Sequence, residues 1–206
     1  MSTQPKSIFL LPGMGGDHTM YAAPAWQGIQ GAVCIDWPEY RNEVSIAQIA
    51  DRIIETAHIP DGTTLIGSSL GGIVACEIAK KRKVKALILI GSATHPREVS
   101  ELLARLHPLA RLAPFEFLQT AAAKIPNELT RMFSRSQASF IRATCFAIFD
   151  WPGLGELGAK PIRIHGKRDH VIPIPQMVDL ALNGGHLLAM THAKECVEFL
   201  KLRGLV

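Results

Sequence analysis

The sequence predicts an α/β fold: a mainly parallel sheet of about six strands, with helices on both faces and a small helical cap. Short, continuously apolar runs recur along the chain and alternate with helical patterns, as in a parallel sheet covered on both faces. Between residues 96 and 158 no strand-like run occurs, and prolines separate helical patterns such as 99–107 and 136–149. We therefore predict a core of residues 1–95 and 159–206 and a helical insertion, the cap, of residues 96–158.

Six segments are predicted as strands because they are apolar or β-branched and end at glycine, proline or polar residues. They are residues 7–11, 32–35, 63–66, 85–91, 161–165 and 178–182. Residues 45–58 predict an amphipathic helix, and Ser45 with Gln48 matches a capping box at its start. Thr191 is predicted to cap the last helix. Residues 151–155 are predicted to form the hinge that leads out of the cap.

Length and composition favour one globular unit. The chain has 206 residues, of which 48% are hydrophobic and 19% charged, values that exclude a disordered chain. The net charge of +4 includes one basic run, residues 80–83, at the end of a predicted helix. There the helix dipole favours positive charge, and we expect the run to face solvent rather than to bind a nucleic acid.

Other sequence signals narrow the class of protein. The four cysteines lie far apart, without the spacing of a disulfide framework or a zinc site. No apolar run reaches membrane-spanning length, and Pro12-Gly13 interrupts the first one too early for a signal peptide. We therefore expect a cytoplasmic protein that needs no metal or other cofactor and binds neither a membrane nor a nucleic acid.

The most informative stretch is residues 67–72, Gly-Ser-Ser-Leu-Gly-Gly, which lies between a predicted strand and a predicted helix. A strand that turns into a helix within one G-x-S-x-G unit is typical of a nucleophile elbow, which projects the hydroxyl of the middle serine, Ser69. Gly67 and Gly71 are expected where a Cβ would collide. Ser68 is the alternative nucleophile by residue type, but its place before the centre of the turn favours a structural role.

A serine hydroxyl needs a base within hydrogen-bond reach and a third group that orients the base. Asp169 follows the fifth predicted strand, and His186 follows the sixth. Ligands of open parallel sheets bind beyond the carboxyl ends of the strands, where both residues would meet Ser69. The chain order Ser69, Asp169, His186 is that of α/β-hydrolases.

These motifs resemble the α/β-hydrolase superfamily. Residues 11–17, 67–72, 165–173 and 184–186 match its oxyanion loop, elbow, acid loop and histidine loop, and the resemblance covers residues 7–95 and 159–203. It implies a nucleophile, Ser69, a general base, His186, and an acid that orients this base, Asp169. It also implies an oxyanion hole formed by the backbone N–H groups of Met14 and Leu70.

The chain departs from the superfamily in two loops. Pro12 stands where many relatives have a histidine, which affects the support of the oxyanion loop more than the Met14 amide. Sixteen residues separate Asp169 from His186, so the helix that normally lies there is predicted to be absent. The sequence thus predicts a reduced version of the fold.

The expected function is hydrolysis of a small carboxylic ester or thioester through an acyl-enzyme on Ser69. The apolar residues of the cap favour an acyl-chain pocket, and the cap loosely resembles that of carboxylesterases acting on pimeloyl-carrier-protein methyl esters. A carrier-protein-bound acyl group is therefore a candidate partner. His18 and His95 are candidate substrate contacts, and Asp17 is expected to cap the next helix. The alternatives are an acyltransferase, a C–C bond hydrolase or a non-catalytic ligand-binding protein.

Overall fold

The structure, a computed structural model, describes residues 8–99, 137–156 and 160–206. Most of the predicted cap, including all but the first residue of the helix predicted over 99–107, lies outside these residues. The strands of the described chain are β1 (Ile8–Leu11), β2 (Ala32–Cys34), β3 (Thr63–Ser68), β4 (Val84–Ile90), β5 (Ile162–Gly166) and β6 (Leu180–Leu182). They form one sheet in the order β2-β1-β3-β4-β5-β6, and every neighbouring pair is parallel. The predicted six-stranded parallel sheet is confirmed.

The helices of the described chain are α1 (Pro24–Gln27), α2 (Ile46–Ala57), α3 (Leu70–Lys81), α4 (Ala138–Phe149), α5 (Leu188–Thr191) and α6 (Ala193–Leu202), with 3-10 turns at His18–Tyr21 and Pro96–Glu98. The predicted N-cap residue of α2 is confirmed, since Ser45 Oγ accepts a hydrogen bond from Gln48 N at 3.2 Å. In return, Gln48 Oε1 accepts from Val44 N, one residue before the position in a standard capping box. None of the described helices is long and apolar enough to cross a membrane.

Two apolar cores lie on opposite faces of the sheet, because successive strand residues point to opposite sides. Phe9 and Leu11 of β1 belong to the core that includes residues of α2, α3 and α4. Ile8 and Leu10 belong to the other core, which includes residues of α1, α5 and α6. β1, β3 and most of β4 are therefore buried on both faces, which explains their apolar runs, whereas the edge strands β2 and β6 are partly exposed.

The prediction that Thr191 caps the last helix is wrong. Thr191 is the final residue of the one-turn helix α5, and its hydroxyl donates to the carbonyl of Leu187 at 2.9 Å. The N-cap position of α6 is His192, whose side chain makes no capping hydrogen bond. A threonine hydroxyl can donate to a carbonyl of its own helical turn or accept from an N–H of the next helix. Here it donates to the preceding turn.

The predicted hinge is instead fastened to the core. Trp151 is 4% exposed, and its indole N–H donates to Glu77 Oε1 at 2.6 Å. Lys80 Nζ donates to the carbonyl of Gly153 and to Glu77 Oε1, each at 2.5 Å. Lys80 belongs to the basic run that we expected to face solvent; it is exposed, and its ammonium group also binds this segment. The reason is local: Glu77 lies one helical turn before Lys80 and faces the segment that leaves the cap.

Candidate active site

Ser69 occupies a sharp turn between β3 and α3. Its backbone has φ 52° and ψ −121°, a conformation that a residue with a Cβ rarely adopts and that costs free energy. Two hydrogen bonds of the Ser69 backbone fix it: Ser69 N donates to the carbonyl of Ile90 at 3.1 Å, and the side-chain Oγ of Ser92 donates to the carbonyl of Ser69 at 2.7 Å. The turn that the G-x-S-x-G pattern predicts is thus present in the backbone.

Two glycines allow this turn to pack tightly. A Cβ on Gly67 would overlap the backbone of Gly71 and Gly72, across the turn. A Cβ on Gly71 would overlap the backbone carbonyls of Leu11 and Pro12, at the start of the oxyanion loop. Backbone therefore lies directly against backbone on both sides of Ser69.

The two serines of the motif differ in exposure. Ser68 is the last residue of β3 and is 1% exposed. Ser69 is partly exposed and extends from the carboxyl end of the sheet. The geometry therefore leaves Ser69 as the hydroxyl that an incoming molecule can reach.

A continuous line of hydrogen bonds joins Ser69, His186 and Asp169. His186 Nε2 lies 2.8 Å from Ser69 Oγ, and His186 Nδ1 lies 2.8 Å from Asp169 Oδ2. An ionised carboxylate only accepts hydrogen bonds, so Nδ1 carries the proton and Nε2 is free to accept the hydroxyl proton. Three residues far apart in the chain thus form the geometry of a nucleophile, a base and an orienting acid.

Asp169 is enclosed by donors. Its side chain is fully buried; Oδ1 accepts from the backbone N–H groups of Val171 and Ile172, each at 2.9 Å, while Oδ2 faces His186. Burial by itself opposes the charge of Asp169, but hydrogen bonds from His165, His186 and Ile172 N outweigh it and hold the pKa of Asp169 well below its usual range. The carboxylate is therefore ionised at neutral pH and can stabilise a positive charge on His186.

The short connection between the acid and the histidine still brings them together. No described helix lies between β5 and β6, and the two strands pair directly. A Cβ on Gly166 would overlap the carbonyls of Gly184 and Gly185, so the acid loop packs against the histidine loop backbone to backbone. Gly91, with φ +53°, lies so near His186 that an added Cβ would be 2.9 Å from its carbonyl oxygen.

Sequence reasoning assigned no role to His165, although it lies inside the acid-loop motif. It is 1% exposed, and its Nε2 lies 2.7 Å from the carbonyl of Ile172 and 3.5 Å from Asp169 Oδ2. A carbonyl only accepts, so Nε2 carries the proton and His165 closes the loop around Asp169. The signal in the sequence was a histidine at the carboxyl end of a predicted strand, four residues before Asp169.

The oxyanion loop follows β1 and passes beside Ser69. A Cβ on Gly13 would lie 3.4 Å from Ser69 Cβ, so the Gly13-Met14 backbone lies against the serine. Leu70 is the first residue of α3, where backbone N–H groups have no carbonyl of their own helix to bond. The residues predicted for an oxyanion hole, Met14 and Leu70, therefore lie on the two backbone segments next to Ser69.

The two candidate substrate contacts have other partners. The ring of His18 makes a hydrogen bond with Asp36 at 2.8 Å, and its side chain is 59% exposed. That pairing raises the pKa of His18. His95 Nδ1 accepts from Arg97 N at 3.1 Å and so caps a 3-10 turn. Asp17, in contrast, caps its turn as expected, by accepting from Thr19 N at 2.9 Å.

Metal ions require sets of several ligand side chains. Within residues 8–99, 137–156 and 160–206, no group of three His, Cys, Asp or Glu side chains could hold a metal ion. A serine with a base and a nearby pair of backbone N–H groups is suited to attack on a carbonyl carbon.

Comparison with known proteins gives a consistent result for the fold. Residues 8–199 match the sequence model described as the alpha/beta hydrolase family. No curated protein is found to match the sequence.

Three solved structures illustrate the similarity. A hydrolase from Oleispira antarctica has a TM-score of 0.77 and 16% identity, over 98% of this chain and 92% of its own. A thermophilic esterase from Thermogutta terrifontis has a TM-score of 0.72 and 18% identity, over 97% and 90%. An esterase from Exiguobacterium antarcticum has a TM-score of 0.70 and 16% identity, over 97% and 92%.

Proposed function

The chain belongs to the alpha/beta hydrolase family, and we propose that it is a serine hydrolase that cleaves small carboxylic esters or thioesters through an acyl-enzyme on Ser69. The observation that carries this proposal is the line of 2.8 Å contacts from Ser69 Oγ through the His186 ring to Asp169 Oδ2. A second feature supports it: the strained backbone of Ser69, which strands β3 and β4 fix in place.

In the first half of the reaction, Ser69 Oγ attacks the acyl carbon while His186 Nε2 takes the hydroxyl proton. The carbonyl π bond breaks, and its electron pair moves onto the oxygen. Asp169 stabilises the resulting imidazolium. When the tetrahedral intermediate collapses, the bond to the alcohol or thiol breaks, and His186 gives its proton to that leaving group. The acyl group is then bound to Ser69 Oγ.

In the second half, a water molecule replaces the alcohol or thiol. His186 Nε2 takes one proton from the water, and the oxygen of the water attacks the acyl carbon. Collapse of this second intermediate breaks the bond to Ser69 Oγ, which recovers its proton from His186. The products are a carboxylic acid and the alcohol or thiol, and the enzyme returns to its starting state.

Both intermediates carry a negatively charged oxygen. We propose that the backbone N–H groups of Met14 and Leu70 donate hydrogen bonds to this oxygen. Such donors are preorganised because they belong to packed backbone, so they need not reorient when the charge forms. The N-terminus of α3 adds the positive end of a helix dipole. Loss of one oxyanion donor typically costs about 10²- to 10³-fold in kcat.

The substrate class is proposed from the site and from the esterases among the structural neighbours. The described helix of the cap, α4, packs Phe140 and Ala147 against the core. We assign substrate choice to the cap and retain a carrier-protein-bound acyl group as a candidate substrate. The cytoplasm is the location that we propose for the reaction.

The test is hydrolysis of p-nitrophenyl esters and acyl thioesters of increasing chain length. Ser69→Ala is expected to lower kcat by about 10⁴-fold or more, because it removes the atom that becomes acylated. Ser68→Ala, the same change on the buried neighbour, is the matched control and should retain activity. Equal losses in both variants, or no turnover by the native protein, would contradict the proposal.

The same assay separates hydrolysis from acyl transfer and from ligand binding without turnover. In the presence of a competing alcohol or thiol, a hydrolase releases mainly the free acid, whereas an acyltransferase releases mainly the new ester or thioester. A ligand-binding protein would bind the ester without turnover, and its affinity would be the same in Ser69→Ala.

A further inference from the structure

A tryptophan outside the triad makes a hydrogen bond to the backbone of the oxyanion loop. The indole Nε1 of Trp37 donates to the carbonyl oxygen of Gly13 at 3.0 Å. That carbonyl belongs to the same peptide unit as the N–H of Met14. A peptide unit is planar and trans, so its C=O and N–H point in opposite directions. A group that fixes the Gly13 carbonyl therefore also fixes the direction of the Met14 N–H.

We propose that Trp37 is a positioning residue of the oxyanion hole: its indole N–H holds the Gly13-Met14 peptide so that the Met14 N–H faces the developing oxyanion. The inference rests on the proposed function, in which that N–H is one of two donors. Trp37 acts through the peptide and has no role as a proton donor or nucleophile.

The other hydrogen bonds of Gly13 come from residues close by in the chain. Gly16 N donates to the same Gly13 carbonyl at 3.0 Å, and Gly13 N lies 3.1 Å from Met20 Sδ. Trp37 lies three residues after β2 and 24 residues after Gly13 in the chain. It therefore ties the loop to a distant segment, whereas Gly16 only closes a turn within the loop.

The hydrogen bond also has an electronic effect. A carbonyl that accepts two hydrogen bonds is more strongly polarised, and polarisation passes through the amide to its N–H, which then donates more strongly. The effect matters most when the acceptor on the other side carries a full negative charge, because charge-assisted hydrogen bonds are stronger than neutral ones. Trp37 should therefore stabilise the charged intermediate more than it stabilises the bound, neutral ester.

The indole itself is restrained by contacts with helix α4. Its ring centroid lies 5.3 Å from that of Phe140 on α4, and Phe140 is 5% exposed. Tyr40 packs on the same phenylalanine at 6.2 Å. The same helix also contacts the loop, since Cys145 Sγ lies 3.8 Å from Met14 Sδ. Both the support and the supported residue thus touch α4, so Trp37 cannot rotate away without disturbing this packing.

The test compares reaction with binding of an oxyanion analogue. Two replacements remove the N–H of Trp37: Trp37→Phe, and β-(3-benzothienyl)alanine, which keeps the ring shape and has sulfur in place of the N–H. We expect kcat for the best p-nitrophenyl ester to fall about five- to tenfold with KM unchanged, the worth of one neutral hydrogen bond. The Ki of a trifluoromethyl ketone with the same acyl chain should rise by a similar factor, since its adduct on serine carries an oxyanion.

The matched control is Trp151→Phe, which also loses one indole hydrogen bond, here to Glu77. It is expected to lower the melting temperature but to leave kcat and the Ki of the ketone unchanged. If both Trp37 replacements leave the Ki unchanged in an active protein, Trp37 only packs, and the inference is wrong. If the native protein neither hydrolyses esters nor binds the ketone, the proposed function fails and the inference with it.

Discussion

The elbow and the pair of loops after β5 and β6 position their residues by different means. Around Ser69, backbone packs against backbone, and glycines at 67 and 71 make the close approach possible. Around Asp169, hydrogen bonds to one carboxylate fix the position: His186 and two backbone N–H groups bond it, and the His165 ring lies 3.5 Å away. The elbow thus depends on glycines that lack a Cβ, whereas the acid loop depends on hydrogen-bond donors that face Asp169.

This difference predicts how each region responds to substitution. An added methyl group at the elbow must displace main chain, so the damage should appear as lost stability. A changed donor or acceptor in the acid loop alters charge and direction while the strands stay in place, so the damage should appear first as lost activity. Four changes test this contrast.

The largest expected effect is on activity. Asp169→Asn removes the charge that keeps the proton on His186 Nδ1 and stabilises the imidazolium. We expect kcat/KM for ester hydrolysis to fall by about 10⁴-fold, as is typical when the acid of such a triad loses its charge. Circular dichroism should show an unchanged fold. A variant with more than a tenth of native activity would contradict the role that we assign to Asp169.

The second effect is on stability. Gly71→Ala places a Cβ against the carbonyls of Leu11 and Pro12, and we expect a loss of about 3 kcal/mol or more in the free energy of unfolding. Urea denaturation measures it. Gly28→Ala is the control, because its Cβ would lie 3.4 Å from the nearest atom. Equal effects at the two glycines would remove the contrast between the regions.

The third change is expected to lower both stability and activity. His165→Phe keeps a ring in the core but leaves the Ile172 carbonyl without its donor, which should cost about 2 kcal/mol of stability. The fall in activity should be smaller than for Asp169→Asn, because His186 still faces the carboxylate. The same change at His170, which is exposed on the same loop, should alter stability by less than about 0.5 kcal/mol.

The smallest effect is a pH dependence. The pKa of Asp169 is lowered in the folded protein, so its contribution to stability is fully present above the unfolded value of about 3.9 and is lost as the pH falls below it. The free energy of unfolding should therefore decline more steeply between about pH 4 and pH 2 in the native protein than in Asp169→Asn. Parallel curves would mean that the carboxylate gains nothing from its donors.

Local sequence patterns predicted most of the fold. β3 extends two residues beyond its prediction, through Ser68, and β6 is two residues shorter, because strand ends depend on pairing partners that the sequence does not display. The N-cap hydrogen bond of α2, from Gln48 N to Ser45 Oγ, was predictable because its two residues lie only three positions apart in the sequence. Thr191 was not, because a hydroxyl between two helical segments fits either one.

The residues of the candidate site also divide into those that sequence patterns predict and those that they do not. Ser69, Asp169 and His186 were predicted to meet because each follows a strand at the same edge of the sheet, and the structure brings them within 2.8 Å contacts. Trp37 and His165 were missed, since their partners are backbone carbonyls that no residue pattern marks. Lys80 is exposed as expected, but its partners, Glu77 and the Gly153 carbonyl, were not predicted because they converge only in three dimensions.

The central claim is that the elbow and the two loops together activate Ser69. Labelling with a fluorophosphonate probe, with the adduct mapped by mass spectrometry, tests this claim directly. The native protein should form one adduct on Ser69, and the adduct should be absent in Ser69→Ala and in His186→Ala. An adduct on Ser68, or no adduct on a correctly folded native protein, would contradict it.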